Sequence, residues 1–195
     1  MTLRYDTRSR VSTYTQSWVS NADPDFGAFE SIATTVITSD TASVTFSSIP
    51  QTYKHLQVRI LGRGTRVSPS DYCNFQFNGD TGSNYQEHQV YGTGSTPVSG
   101  SDNVQTYINT MNIGGSSLAT NTFGVGILDI LDYTNTNKYK TTRMLTGWDN
   151  NTANGVISFE SGHWRSTNAI TSIRFFPLGA NFVQYSHFAL YGIKG

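Results

Sequence analysis

The sequence predicts an all-β protein, and three observations support this prediction. Residues that favour helices are scarce, with 9 Ala, 9 Leu, 4 Lys and 3 Glu among 195 residues. Aromatic residues make up 13% of the chain, and β-branched residues are common. Apolar and polar residues alternate in several short runs, whereas no segment has the 3.6-residue period of an amphipathic helix. Short strands separated by turn residues are typical of a β-sandwich or a β-barrel.

The alternating runs predict the strands in chain order. Val44 and Phe46 share one face of the first run, and Leu56, Val58 and Ile60 share one face of the second. The later runs are “YCNFQFN” (72–78), “FGVGILDILDY” (123–133), “KYKTTRMLTGW” (138–148), “NGVISFESGHWRS” (154–166), “AITSIRFFP” (169–177) and the closing “YSHFALYGIKG” (185–195). We expect eight to eleven strands between Glu30 and Ile193.

Two further features shape these predictions. Asn78-Gly79 and Asn154-Gly155 predict tight turns, because both residue types tolerate positive φ. The segment 92–103, “GTGSTPVSGSDN”, is rich in Gly and Ser and is predicted to be an exposed loop. The closing run is predicted to place Phe188 and Leu190 in the core, which would fix the terminus inside a sheet.

The chain divides into an N-terminal arm and one β-domain. Residues 30–195 hold all the predicted strands, whereas residues 1–29 show no sustained period. We interpret 1–29 as an extended arm, the alternative being a frayed terminus. The side chains that would bind a partner subunit are Arg4, Arg8, Arg10, Tyr14 and Trp18, helped by Tyr5 and Val11.

Composition and charge exclude several classes of protein. Thirteen basic and thirteen acidic residues cancel, so no basic surface of the nucleic-acid-binding type is indicated. The single cysteine, Cys73, excludes an internal disulfide framework and a cysteine zinc cluster, and we expect it in the core. The sequence shows no signal peptide and no membrane-spanning run, so we expect an exported form to leave the cell some other way, such as inside an assembled particle.

Motifs for catalysis and cofactors are missing from the sequence. There is no G-x-S-x-G, no H-E-x-x-H and no phosphate-binding glycine loop, so we predict no enzyme, cofactor or metal site. Glu30, Glu87 and Glu160 are isolated along the chain. A polysaccharide hydrolase, the third hypothesis, would require two carboxylates that converge in one cleft.

Two tryptophan segments could bind a glycan. Trp148 is followed by Asp149 and Asn150, and Trp164 stands between His163 and Arg165. An exposed aromatic face beside polar acceptors is a common way to hold a sugar. The alternative is that both tryptophans cover the hydrophobic core.

The sequence also resembles a known family. The resemblance begins with “VTFSSIPQTYKHLQVRI” (44–60) and “FQFNGDTGSNY” (75–85), which look like the start of a jelly-roll module in structural proteins of tailed bacteriophages. It continues with “ILDILDYTNTNKYKTTR” (127–143), “GHWRSTNAITSIRF” (162–175) and “FALYGIKG” (188–195), which are similar to the C-terminal parts of those proteins. The resemblance covers residues 46–195 and implies a jelly-roll-like antiparallel β-sandwich.

We therefore expect a non-enzymatic structural protein of a phage virion. The resemblance implies a tail fibre, or a capsid decoration or cement protein, and such proteins are commonly trimeric. Only about 29 residues precede the module, which favours a short decoration, cement, fibre or adaptor subunit. Its expected partners are copies of itself and other capsid or tail proteins, without nucleic acid or membrane insertion. The alternative function is a glycan-binding module that attaches to the host surface.

Overall fold

The computed structural model describes residues 28–152 and 154–195, which form twelve β-strands. The strands are β1 (Phe29–Val36), β2 (Val44–Phe46), β3 (His55–Gly62), β4 (Ser70–Phe77), β5 (Tyr85–Gly92), β6 (Val98–Gln105), β7 (Ile108–Gly114), β8 (Gly124–Ile130), β9 (Lys140–Asp149), β10 (Gly155–Trp164), β11 (Ile173–Pro177) and β12 (His187–Ile193). The described residues contain no helix long and apolar enough to cross a membrane. The prediction of an all-β protein is confirmed.

The strands form two antiparallel sheets of unequal width. The larger sheet has the order β1-β12-β3-β8-β9-β10-β5-β6, and the smaller has the order β2-β11-β4-β7. Strands β8, β9 and β10 are neighbours both in sequence and in the sheet, whereas β3 pairs with the distant β8 and β12. Strand β7 is the edge of the smaller sheet and packs over the inner face of the larger one.

Buried apolar side chains from both sheets form one core. Phe175 of the smaller sheet contacts Phe75 at 5.8 Å and Phe188 of the larger sheet at 5.7 Å, measured between ring centroids. Aromatic packing therefore joins the two sheets directly. The inward residues that the sequence predicted are all buried: Leu56, Val58 and Ile60 on β3, and Cys73, Phe75 and Phe77 on β4.

The closing strand lies inside the larger sheet, as predicted. Strand β12 pairs with β1 on one side and β3 on the other, and Phe188 and Leu190 point into the core with no exposed surface. On the opposite face, Tyr191 stacks on Phe29 at 4.7 Å. The guanidinium of Arg59 lies about 5 Å above both rings, at 5.2 and 5.3 Å. The C-terminal strand is thus covered on both faces.

The prediction of an exposed loop over residues 92–103 is wrong for residues 98–103, which belong to a strand. Strand β6 begins at Val98 and pairs antiparallel with β5, so the connection is limited to residues 93–97. Alternation is absent there because β6 is an edge strand whose side chains are largely exposed on both faces. The described strands therefore number twelve, one more than the upper prediction.

The predicted turn at Asn78-Gly79 is confirmed, but it does not make a hairpin. Asn78 has a φ of 53° and Gly79 a φ of 67°, as a tight turn with two left-handed residues requires. The turn leads from β4 in the smaller sheet to β5 in the larger. Asn78 Oδ1 accepts hydrogen bonds from the amides of Thr171 (2.8 Å) and Ser172 (3.1 Å), which fixes the crossing.

Two buried cations hold loops through carbonyl oxygens. Burial lowers the pKa of both Arg63 and Lys140, and each side chain is no more than 5% exposed. The Arg63 guanidinium donates to the carbonyls of Ser116, Leu118, Ala119 and Thr122. The Lys140 ammonium donates to the carbonyls of Asn135, Lys138 and Thr167. These two side chains therefore tie down the loops that precede β8, β9 and β11.

The core predicts a large difference between two valine substitutions. Val58 is fully buried between the β12 and β8 strands, whereas Val67 is 90% exposed. Val58→Ala removes two buried methyl groups and leaves a cavity, so we expect it to lower the free energy of unfolding by about 2 kcal/mol. Val67→Ala, the matched control, should change it by less than about 0.5 kcal/mol. Urea denaturation measures both values, and equal effects would contradict this description of the core.

Candidate functional site

A cleft of about 420 Å³ opens between the two sheets at the end where the β9–β10 turn lies. Both sheets contribute to its wall, and no charged side chain lines it. The residues from strands are Ser70 and Tyr72 of β4, Gln89 and Tyr91 of β5, Asn112 of β7, Trp148 of β9, and Gly155 and Val156 of β10. Pro69, Thr93 and Asn154 complete the rim. A shallower depression of about 250 Å³ adjoins it along the 92–94 and 149–157 segments.

Three aromatic rings meet at this cleft, each placed by strand alternation. Trp148 follows Met144 and Thr146 on the inward face of β9, and its Nε1 donates to Ser70 Oγ at 2.8 Å. The guanidinium of Arg66 lies 5.4 Å from the centre of the Tyr72 ring. The indole and this tyrosine ring are therefore held in place before any ligand binds.

The structure separates the first predicted glycan shelf into two parts. Trp148 does line the cleft, but its neighbours there are Tyr72 and Tyr91. Asp149 and Asn150 instead form the β9–β10 turn, where Asp149 Oδ1 accepts from the Asn151 amide and Asn150 Oδ1 accepts from Thr152. Sequence reasoning missed the two tyrosines, because they stand on other strands with no local signal that links them to Trp148.

The second predicted shelf needs correction. Trp164 is 1% exposed, its ring stacks on Tyr85 with centroids 6.3 Å apart, and its Nε1 donates to Asp80 Oδ2 at 2.8 Å. It therefore belongs to the core and offers no face to a sugar. His163 is half-buried against the edge of Tyr139, and desolvation lowers its pKa. These two residues lie at the end of β10 opposite the cleft.

The predicted arm falls almost wholly outside the described residues. Only positions 28 and 29 of the predicted 1–29 segment are described, and Phe29 is already the first residue of β1. The proposed partner-binding side chains therefore lie outside the described part: Arg4, Arg8, Arg10, Tyr14 and Trp18.

Two carboxylates are buried behind the cleft, beneath β7. Glu87 and Glu160 occupy diagonal positions on the inner face of β5 and β10, and both are at most 2% exposed. Glu87 Oε2 accepts the Asn109 amide at 2.6 Å, and Glu160 Oε1 accepts the Thr146 hydroxyl at 3.3 Å. Neither side chain lines the cleft. In the described residues, no three His, Cys, Asp or Glu side chains are grouped to hold a metal.

The second distinctive surface is a group of exposed apolar side chains on the outer face of the larger sheet. Backbone pairing places Leu145 opposite both Ile127 and Phe159. The group continues to the neighbouring strands β3 and β5. Its members, which we call the apolar face, are Leu61, Val90, Val125, Ile127, Leu145, Ile157 and Phe159, and each is 41–63% exposed. Apolar patches of this kind mark binding surfaces.

The buried Glu87 predicts that stability falls as the pH rises. Burial raises the pKa of Glu87 to about 8, and Asp102 and Glu160 add to the rise, although the Asn109 amide opposes it. Between the ordinary pKa of 4.5 and about 8, the folded protein therefore holds a proton that the unfolded chain releases. The free energy of unfolding should decline over this interval.

Glu87→Gln should flatten this decline, because an amide does not titrate. Urea denaturation at several pH values between about 5 and 8 measures the slope. Asp149→Asn, at an exposed turn position, is the control and should keep the wild-type slope. An unchanged slope in the Glu87→Gln protein would rule out Glu87 as its source.

No protein-family model, no curated protein and no solved structure matches the chain. The function is therefore inferred from the two surfaces that the fold creates, the cleft and the apolar face.

Proposed function

We propose that this protein is a non-enzymatic structural subunit of a tailed-phage particle. It serves as a capsid decoration or cement protein, or as a small fibre or adaptor subunit, with a jelly-roll-like sandwich as its domain. The resemblance of residues 46–195 to such proteins supports this proposal. The observation that carries it is the apolar face. Exposed apolar groups of this size mark surfaces that a partner covers, and this one lies on a protein rich in polar residues.

The apolar face is costly in water. Burial of one large apolar side chain is worth roughly 1.5–3 kcal/mol, and seven such residues are neighbours across five strands. The rest of the surface is polar but weakly charged, since only 13% of the residues are Asp, Glu, Lys or Arg. A surface of this kind fits a protein that is packed against neighbours in an assembly.

The occupant of the apolar face is the N-terminal segment of a neighbouring copy. Residues 1–27 end next to β1, the edge strand of the same sheet. An extended segment of 27 residues spans up to about 90 Å, whereas an eight-stranded sheet is about 34 Å wide. The segment can therefore reach a second molecule. Its apolar residues, which suit the face, include Tyr5, Val11, Tyr14 and Trp18.

The arginines of the same segment would add polar interactions to this contact. Arg4, Arg8 and Arg10 would donate to carboxylates or carbonyls of the neighbouring copy or of a capsid or tail protein. Exchange of such segments around a ring closes a cyclic oligomer, and the resemblance favours three copies. The particle would hold the protein by these contacts, without any reaction.

Two variants test the association. Removal of residues 1–27, or Phe159→Lys on the apolar face, should convert the oligomer to a monomer, because each change removes one side of the same contact. Val67→Lys, at an even more exposed apolar position outside the face, should leave the oligomer intact. Sedimentation velocity measures the assembly state. The protein is used at about 50 µM, which is well above the Kd of a stable oligomer.

Self-association and presence in a phage particle are tested by different measurements. A monomeric wild-type protein, or an oligomer unaffected by both variants, would contradict the proposed contact. Electron microscopy of assembled particles, with the protein labelled, tests the broader proposal. Density for the protein on the head or tail supports it, and its absence from purified particles contradicts it.

A further inference from the structure

The cleft is lined by aromatic and amide side chains, and the proposed assembly role does not involve them. Tyr72, Tyr91 and Trp148 bring aromatic rings from three strands to one depression, although they are far apart in sequence. Between them stand two amide side chains, Gln89 and Asn112. The hydroxyl groups of Ser70 and Thr93 and the amide of Asn154 lie nearby in the same wall.

These groups match the chemistry of an uncharged sugar. A pyranose ring has a face of C–H groups that packs on an aromatic ring, and hydroxyls around its edge that both donate and accept hydrogen bonds. Amide side chains supply a donor and an acceptor in one group, so they pair with such hydroxyls. None of the described residues that line the cleft is charged, so the lining itself offers no partner of opposite charge to a carboxylate, phosphate or ammonium group.

The size and rigidity of the cleft also suit a small ligand. Its volume of about 420 Å³ lies within the range of roughly 300–1,000 Å³ that is usual for small-molecule sites. The Trp148 Nε1 is already bonded to Ser70 and the residue is 9% exposed, so the indole offers the cleft only part of its ring and no N–H group. A preorganised ring loses little entropy when a ligand binds.

A buried hydroxyl beside the cleft adds to the polar character of this region. Ser158 lies opposite both Tyr91 on β5 and Thr146 on β9. Its Oγ is buried and has no hydrogen-bond partner among the described residues. Buried polar atoms are nearly always paired, so an unpaired one beside a cleft indicates a place where water or a ligand hydroxyl can enter.

We propose that the cleft formed by Tyr72, Tyr91 and Trp148 binds an uncharged carbohydrate. The rings pack against the faces of the sugar, and Gln89 and Asn112 bond its hydroxyls. The adjoining depression along the 92–94 and 149–152 segments gives a second sugar unit room beside the first. The proposal does not rest on the assembly role, because no residue of the apolar face lines the cleft itself, although Ile157 of that face also lines the adjoining depression.

The test begins with the full-length protein on an array of neutral, sialylated and sulfated oligosaccharides. Binding to neutral glycans is expected, and titration calorimetry with the strongest one gives the Kd. Tyr91→Ala should weaken this binding about tenfold, because it removes one of the rings on which the sugar packs. Tyr139→Ala, a half-exposed tyrosine at the far end of β9, is the matched control and should bind like wild type.

A spectroscopic variant locates the ligand. Trp148→Phe keeps an aromatic face and should retain most of the affinity. Compared in a Trp18→Phe background, it should abolish the ligand-induced change in tryptophan fluorescence, since the remaining Trp164 is buried in the core. Absence of any glycan binding at millimolar concentration, preference for acidic glycans, or equal affinity of the Tyr91→Ala protein would each overturn the proposal. Phe159→Lys should bind the glycan normally, which separates this test from that of the assembly role.

Discussion

The unequal width of the two sheets is the constraint on which the rest of the structure depends. Four strands cannot cover the inner face of eight, so the smaller sheet ends at β7, partway across the larger one. The backbone amides on the free side of β7 then face side chains instead of another strand. Glu87 accepts the Asn109 amide, and Thr146 accepts the Asn112 amide at 3.1 Å. A buried amide without such a partner would cost free energy comparable to a lost hydrogen bond. Glu87 of β5 and Thr146 of β9 are therefore buried where they satisfy an edge strand, and Glu160 of β10 accepts the hydroxyl of Thr146.

The same constraint creates the cleft. Toward β12 and β3, the inner face meets the smaller sheet through the phenylalanine-rich core. Beyond β7 no described strand packs on the ends of β5, β9 and β10, so Tyr91 and Trp148 face a depression. The described residues that line it are uncharged, and the two buried cations of the described part, Arg63 and Lys140, bind carbonyl oxygens elsewhere. A protein with 13% charged residues thus builds its polar contacts from amides, hydroxyls and the backbone.

The sequence predicted what depends on local alternation and missed what depends on long-range pairing. On β3, one face is buried and the other is not, so the period of two is visible in “KHLQVRILG”. On β6, the side chains of both faces are largely exposed, and no pattern survives. Trp164 shows a second limit of prediction from sequence. Its position between His and Arg suggested an exposed shelf, but the indole is buried and bonded to Asp80, which is 84 residues away in the chain. The cleft could not be predicted for the same reason, because its rings come from β4, β5 and β9.

Strand alternation also lets one domain carry two independent surfaces. On β9, Leu145 points outward into the apolar face, whereas Thr146 and Trp148 point inward. On β10, Ile157 and Phe159 point outward and Ser158 points inward. Successive residues of one strand therefore serve opposite sides of the sheet. A subunit held through its outer face keeps the mouth of the cleft free, and a substitution on one side leaves the contacts of the other intact. The proposed anchoring to a particle and the proposed binding of a sugar can then change separately, even though β5, β9 and β10 support both surfaces.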